Sequence, residues 1–206
     1  YGFPGLRALK KVIELYKKHY IVLLDAKRGD IGKTSEAYAR EVFDFWDADA
    51  VTVNPFLGFD TILPFFEYCK QGKGVYVLVR TSNPGAAEFQ NLNVNGKQMY
   101  QTVAERLLKQ KTEGAGAVVG ATAPQELDSL IALFNTRKIP LLIPGIGTQG
   151  GSASEIGKSL QRSKNILLHR VSASSSITYA YKQTNSKDYA DAAVKAIERI
   201  NRELDI

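Results

Sequence analysis

One cysteine, Cys69, and two histidines, His19 and His169, leave this chain without material for a disulfide framework or for a zinc site built on Cys and His. That cysteine usage fits a reducing compartment, the cytoplasm. Long apolar runs are also lacking. None approaches the ~18 to 20 residues of a membrane span, and the opening YGFPGLRALKK lacks the charged, apolar and small-residue order of a secretion signal, so the expectation is a soluble protein with no membrane partner. Clustered charge is missing too: 27 Lys and Arg against 21 Asp and Glu give a formal net charge of +6, yet the cations are scattered. With no helix-turn-helix, RNP or zinc-finger pattern beside them, they argue against nucleic acid and for a small anionic ligand.

What is present is an alternation. Short apolar runs at 20–25, 50–54, 74–80, 116–121, 140–145 and 166–171 read as strands. Between and around them, helical spacing predicts helices near 4–19, 33–46, 59–71, 96–113, 124–135, 152–162 and 186–203. Strand followed by helix, repeated, calls for a parallel sheet with right-handed crossovers, and the nearly continuous hydrophobicity of the runs suits strands covered on both faces. An open dinucleotide-binding sheet should carry G-x-G-x-x-G after its first strand; LLDAKRGD carries nothing of the kind. Polar and glycine-rich clusters instead follow almost every strand, as in a (β/α)8 TIM barrel whose site is built from loops at one face. The expected fold class is therefore α/β, one barrel domain over residues 1–206, with the first two βα units absent because the chain opens on a helix.

The first strand ends in charge. Asp25, Lys27 and Asp30 fall within six positions, after the apolar YIVLL. Residues two apart on a regular strand share a face, so Asp25 and Lys27 are expected to project together. Such charges are expensive at the end of a buried strand unless they pair or do chemistry, and a plain ion pair closing the strand is the alternative reading. After the third strand, Ser82 and Asn83 present donors and acceptors on a turn shaped by Pro84 and Gly85, suited to the edge of a planar amide-containing ring. After the fifth, PGIGTQGG brings Gly145, Gly147, Gly150 and Gly151 just ahead of a helix, an arrangement suited to a phosphate or to a flexible turn.

The segments DAKRGDIGKTSEAYA, TVNPFLGFD, LVRTSNPGAAEFQ and PGIGTQGG, in this order, resemble orotidine 5'-monophosphate decarboxylases, in particular the bacterial-type branch with the D-A-K-R-G-D-I-G motif. The resemblance implies cofactor-free and metal-free decarboxylation of orotidine 5'-monophosphate to UMP in pyrimidine biosynthesis. It implies that Lys27 protonates C6 and Asp25 lies beside the departing carboxylate. In a homodimer, Asp30, Ile31 and Thr34 would complete the neighbouring subunit's site. Ser82 and Asn83 would meet the pyrimidine, Gln149 would link the ring loop to the phosphate, and Pro144, Gly150 and Gly151 would line the phosphate loop, the glycines through their N–H groups. Two features depart from the family pattern. The strands carrying a ribose-binding Asp and a further Lys have no counterpart, and Ser175 stands where the family has a phosphate-gripping Arg. Arg170 and Arg80 are the cations considered as replacements, along with the backbone N–H groups of Ser175 and Ser176.

Two rival readings follow from the same residues. A hexulose-phosphate synthase or keto-gulonate-phosphate decarboxylase relative would hold Mg2+, which needs additional carboxylates; Ile31 and the S-N-P loop argue against it. A non-catalytic barrel fragment would associate without turnover. The remaining landmarks read as structural: Trp46 with Phe43 and Phe45 as a packed helix face, His169 as a strand residue without a carboxylate partner.

Overall fold

Val, Ile and Leu fill the short runs, and their side chains pack well on a pleated surface. In the computed structural model, which describes residues 1–206, these runs form parallel strands with helices between them, an α/β fold. The chain divides into two units, Tyr1–Leu78 with Lys109–Gly116, and Val79–Leu108 with Ala117–Ile206.

The first unit runs α1 (Gly2–Tyr16), β1 (Leu23–Arg28), α2 (Gly32–Arg40), β2 (Ala50–Val53), α3 (Leu63–Glu67) and the start of β3 (Gly74–Arg80). β2 pairs in parallel with β1 on one side and β3 on the other. All four β2 residues are buried, and Val51, Val53, Val75, Val77, Ile62 and Phe65 form the centre of the core. A π turn, Glu41–Phe45, continues α2. Its Glu41 receives a two-pronged contact from Arg28 (3.0 and 2.6 Å) and the Trp46 indole N–H (3.0 Å), which ties the end of β1 to the next helix. Phe43 and Trp46 are buried as a packed face should be, whereas Phe45 is exposed. The helix expected at 59–71 is α3 flanked by two 3-10 turns, Phe59–Ile62 and Tyr68–Gln71. Cys69 is buried there, and burial pushes its thiol up to about 11, so it stays protonated and unreactive.

The second unit contains α4 (Ala86–Gln90), a hairpin of β4 (Asn93–Val94) and β5 (Lys97–Gln98), all but the last residue of α5 (Met99–Lys109), the end of β6 (Ala115–Val119), α6 (Pro124–Phe134), β7 (Leu141–Pro144), α7 (Ala153–Leu160), β8 (Arg170–Ser172), α8 (Ser175–Thr178), α9 (Ala180–Thr184) and α10 (Tyr189–Leu204). β7 lies in parallel between β6 and β8. Asn95 and Gly96 both take positive φ, 55° and 83°, the Asn-Gly turn that closes a tight hairpin, and so the helix expected from 96 begins at Met99. The α10 stripe Ala192, Ala196, Ile200 and Leu204 is buried. Gly157 of α7 permits a close approach: a Cβ there would lie 1.9 Å from the Leu204 carbonyl oxygen.

The last strand is shorter than the apolar run 166–171 suggests. Ile166–Leu168 form a 3-10 turn and β8 begins at Arg170. His169, between them, is 8% exposed; its Nδ1 accepts the Leu141 N–H (3.1 Å) and its Nε2 meets the Ser163 hydroxyl (2.7 Å). Burial and the neighbouring Arg170 charge depress its pKa to about 4, so the ring is neutral and structural.

Candidate active site

The charged end of β1 is not a regular pleat. Leu24 pairs with Val51 and Arg28 with Val53, so Asp25, Ala26 and Lys27 stand opposite the single residue Thr52. Within this bulge Lys27 adopts φ 47°, a left-handed conformation that costs a non-glycine residue about 1–3 kcal/mol. Asp25 and Lys27 meet within the bulge, Nζ to Oδ2 at 2.7 Å, both exposed with Ala26 more covered between them. Thr52 is fully buried; its hydroxyl accepts the Lys27 backbone N–H (3.0 Å) and donates to Asp25 Oδ1 (2.8 Å). The Asp25 and Lys27 side chains remain 56% and 51% exposed, so their pair contributes little to stability and stays open to a ligand.

Beyond the strand, Asp30 turns back on its own loop, Oδ1 accepting the Ile31 N–H (2.8 Å). Ile31 is exposed just before α2, and Thr34 is exposed in that helix's first turn, its N–H donating to the Ile31 carbonyl (3.2 Å). Phe56 and Leu57 add exposed apolar surface in the same unit.

In the second unit the loops after β3, β6 and β7 converge on Ser82. The Ser82 hydroxyl donates to Gln149 Oε1 (2.6 Å), and its carbonyl accepts from the Thr122 hydroxyl (2.9 Å). This approach requires two glycines: a Cβ at Gly120 would lie 2.7 Å from Ser82 Cα, and one at Gly145, where φ is +106°, would lie 2.8 Å from Ser82 Cβ. Thr81 is held on every side. Its N–H donates to Gln90 Oε1 (2.9 Å), its hydroxyl accepts from Gln90 Nε2 (2.8 Å) and donates to Asn83 Oδ1 (2.7 Å), and its carbonyl accepts from Arg80 Nη1 (2.7 Å). The Asn83 side-chain oxygen therefore serves the turn itself.

The loop from Pro144 to Gly151 is internally braced. The Pro144 carbonyl accepts the Ala121 N–H (2.8 Å), the Gly150 N–H donates to the Gly147 carbonyl (2.8 Å), and the Gly151 N–H donates to the Gly145 carbonyl (3.0 Å). These two glycine N–H groups, expected to face a phosphate, are committed to turns that hold the loop's shape. The hydroxyls fare differently. Ser175 Oγ pairs with Thr148 Oγ1 (2.9 Å), joining the start of α8 to the loop, whereas the Ser176 hydroxyl is buried without a hydrogen-bond partner. A Cβ at Gly147 would come within 3.1 Å of that hydroxyl, which places Ser176 directly against the loop.

Both arginines that could replace the phosphate-gripping cation are already engaged. Arg80 is buried and held by the Thr81 carbonyl, with Glu126 3.7 Å from Nη2. Arg170 donates to the carbonyls of Leu167 and His169 (2.7 and 2.8 Å). Four residues with clear structural parts went unnoticed in the sequence: Thr52, Gln90, Thr122 and Thr148. Thr52 alone left a signal, as the single polar residue in the strand AVTV.

The model of the orotidine 5'-phosphate decarboxylase / HUMPS family matches residues 1–196. The chain is 46% identical over 187 residues to the orotidine 5'-phosphate decarboxylase of Janthinobacterium sp. (strain Marseille), covering 89% of this chain and 67% of that protein. Among solved structures it resembles Leishmania donovani OMP decarboxylase, with TM-score 0.80, 33% identity, and coverage of 100% of this chain and 77% of the other. It also resembles L. donovani UMP synthase, with TM-score 0.81, 35% identity, and coverage of 98% and 43%. The chain spans about two thirds of the length of the curated relatives it matches.

Proposed function

Because this chain belongs to the orotidine 5'-phosphate decarboxylase / HUMPS family, we propose that it decarboxylates orotidine 5'-monophosphate to UMP, with Lys27 as the proton donor to C6. The observation that carries the reading is the Asp25–Lys27 pair, 2.7 Å apart and half exposed at the end of β1. When the bond from C6 to the carboxylate breaks, its electron pair stays on an sp2 carbon of a ring that offers it no delocalisation. A fixed ammonium stabilises that charge as it develops, and transfer of the Nζ proton to C6 completes the product. Asp25 holds the lysine's ammonium at 2.7 Å and stands beside a carboxylate that departs as neutral CO2, its electron pair left on C6. Ser82 and Gln149 take the pyrimidine edge, and the Pro144–Gly151 loop takes the phosphate. The unpaired Ser176 hydroxyl against that loop supports this last assignment, since a buried hydroxyl without a partner is costly until a ligand satisfies it.

Asp30, Ile31 and Thr34 are assigned to the neighbouring subunit's site in a homodimer. Two features support this: Asp30 bonds to its own loop, and Ile31 is exposed beside α2 with Phe56 and Leu57 exposed in the same unit. The single barrel domain and a cytoplasmic setting belong to the same reading; no helix is long and apolar enough to cross a membrane. Against the Mg2+-dependent reading, both Asp25 oxygens are already engaged, one by Lys27 and one by Thr52. The test is loss of orotidine 5'-monophosphate absorbance in the presence of EDTA, beside a Lys27→Ala control. Turnover that disappears in the control is expected. Turnover that survives Lys27→Ala, or that EDTA abolishes, would sink the assignment.

A further inference from the structure

The geometry points to Thr52 as a positioning residue for the Asp25–Lys27 pair, a role that rests on the decarboxylase reading. The bulge creates the need for it. Three residues of β1 face one of β2 there, and the Lys27 N–H goes to the side chain of that one residue, Thr52 Oγ1, at 3.0 Å. A hydroxyl has one proton to give. Thr52 gives it to Asp25 Oδ1 at 2.8 Å, while Asp25 Oδ2 receives the Lys27 ammonium at 2.7 Å. One side chain thus holds the lysine's backbone in its left-handed turn and fixes the rotation of the carboxylate to which that lysine's head is bound.

Packing does not ask for a hydroxyl here. Thr52 lies in a strand whose other residues, Ala50, Val51 and Val53, are apolar and buried. Valine has nearly the same shape, suits a strand equally well and carries no polar group to desolvate. The hydroxyl is explained by its two bonds to the pair.

The experiment compares Thr52→Val and Thr52→Ser in the full chain. Thr52→Val should lower kcat about ten- to hundredfold, the scale on which small misplacements act, with KM little changed. The carbon-13 resonance of the Asp25 carboxyl, read at neutral pH without substrate, should move, because the hydrogen bond from the Thr52 hydroxyl to Oδ1 is gone. Thr52→Ser should return both to near the parent. Should the parent fail to turn over, a resonance moved by Thr52→Val and restored by Thr52→Ser still supports the positioning role, while the decarboxylase reading falls. The inference is overturned if Thr52→Val matches the parent in kcat and resonance. It is equally overturned if activity falls with an unmoved resonance and no rescue by serine, the mark of packing alone. Thr52→Ala repeats the comparison if the valine protein does not fold.

Discussion

The end of β1 and the loops around Ser82 solve different problems with different materials. In the first, charge is concentrated: a carboxylate, an ammonium and one buried hydroxyl are closed on each other at 2.7–3.0 Å, at the cost of a left-handed lysine. In the second, the nearby cations are spent on backbone carbonyls, Arg80 on that of Thr81 and Arg170 on that of Leu167, and the loops are shaped by glycines, hydroxyls and backbone turns. On the proposed reading, the contrast follows from the tasks. A developing carbanion needs a fixed cation, because a charge already in place costs no reorganisation as the bond breaks. A planar ring and a phosphate need shape and close approach, which glycine and small hydroxylated residues allow. Substitutions in the first region should therefore act on kcat, and those in the second on KM.

The largest effect expected is that of Lys27→Ala, which should cut kcat by at least about a thousandfold through the loss of both charge and proton donor, with a smaller change in KM under steady-state turnover. Next in size is an acid lability of the second unit that has nothing to do with the chemistry. His169 is neutral in the fold with a pKa near 4, against an ordinary 6.5, so the unfolded chain binds the extra proton between those values. Its share of stability is complete above pH 6.5 and is lost as pH falls toward 4, on the order of 3 kcal/mol in all. Urea unfolding at pH 7 and pH 4.5 should show the loss, and His169→Gln should flatten this part of the slope.

Gly145→Ala comes third. At φ +106°, with its new Cβ 2.8 Å from that of Ser82, the loop must shift. KM for orotidine 5'-monophosphate should rise about tenfold and stability fall by about 1–3 kcal/mol, measured by steady-state kinetics and thermal unfolding. The smallest effect sharpens the contrast most. Ser176→Ala should raise KM only a few-fold while leaving kcat intact, and it should stabilise the free protein by up to about 1 kcal/mol by deleting a buried, unpaired hydroxyl. A fall in kcat at constant KM would break the division of labour between the two regions.

Much of this was readable in one dimension. The alternation of apolar runs and helical spacing located six strands to within a few residues, because both periodicities are local. Asp25, Lys27 and Ser82 stood out because charge at a buried strand end and donors on a tight turn contrast with their surroundings, whereas Gln149 came from the resemblance alone. The reading faltered where partners are distant in sequence. The run at 166–171 carries a strand's composition, yet His169 bonds to Leu141, 28 residues away, and delays β8 to Arg170. Gly150 and Gly151 advertise free N–H groups, yet the folded loop spends both on itself.

Composition and order alone therefore marked the side chains proposed for the chemistry and determined the class of fold that presents them, since residue type and spacing set charge, propensity and period. Tertiary structure decided how they meet. The bulge depends on the register of β1 against β2, and the Ser82–Gln149 contact spans 67 residues. Neither follows from local sequence, because each is fixed only when separate strands have packed and every buried donor has had to find an acceptor.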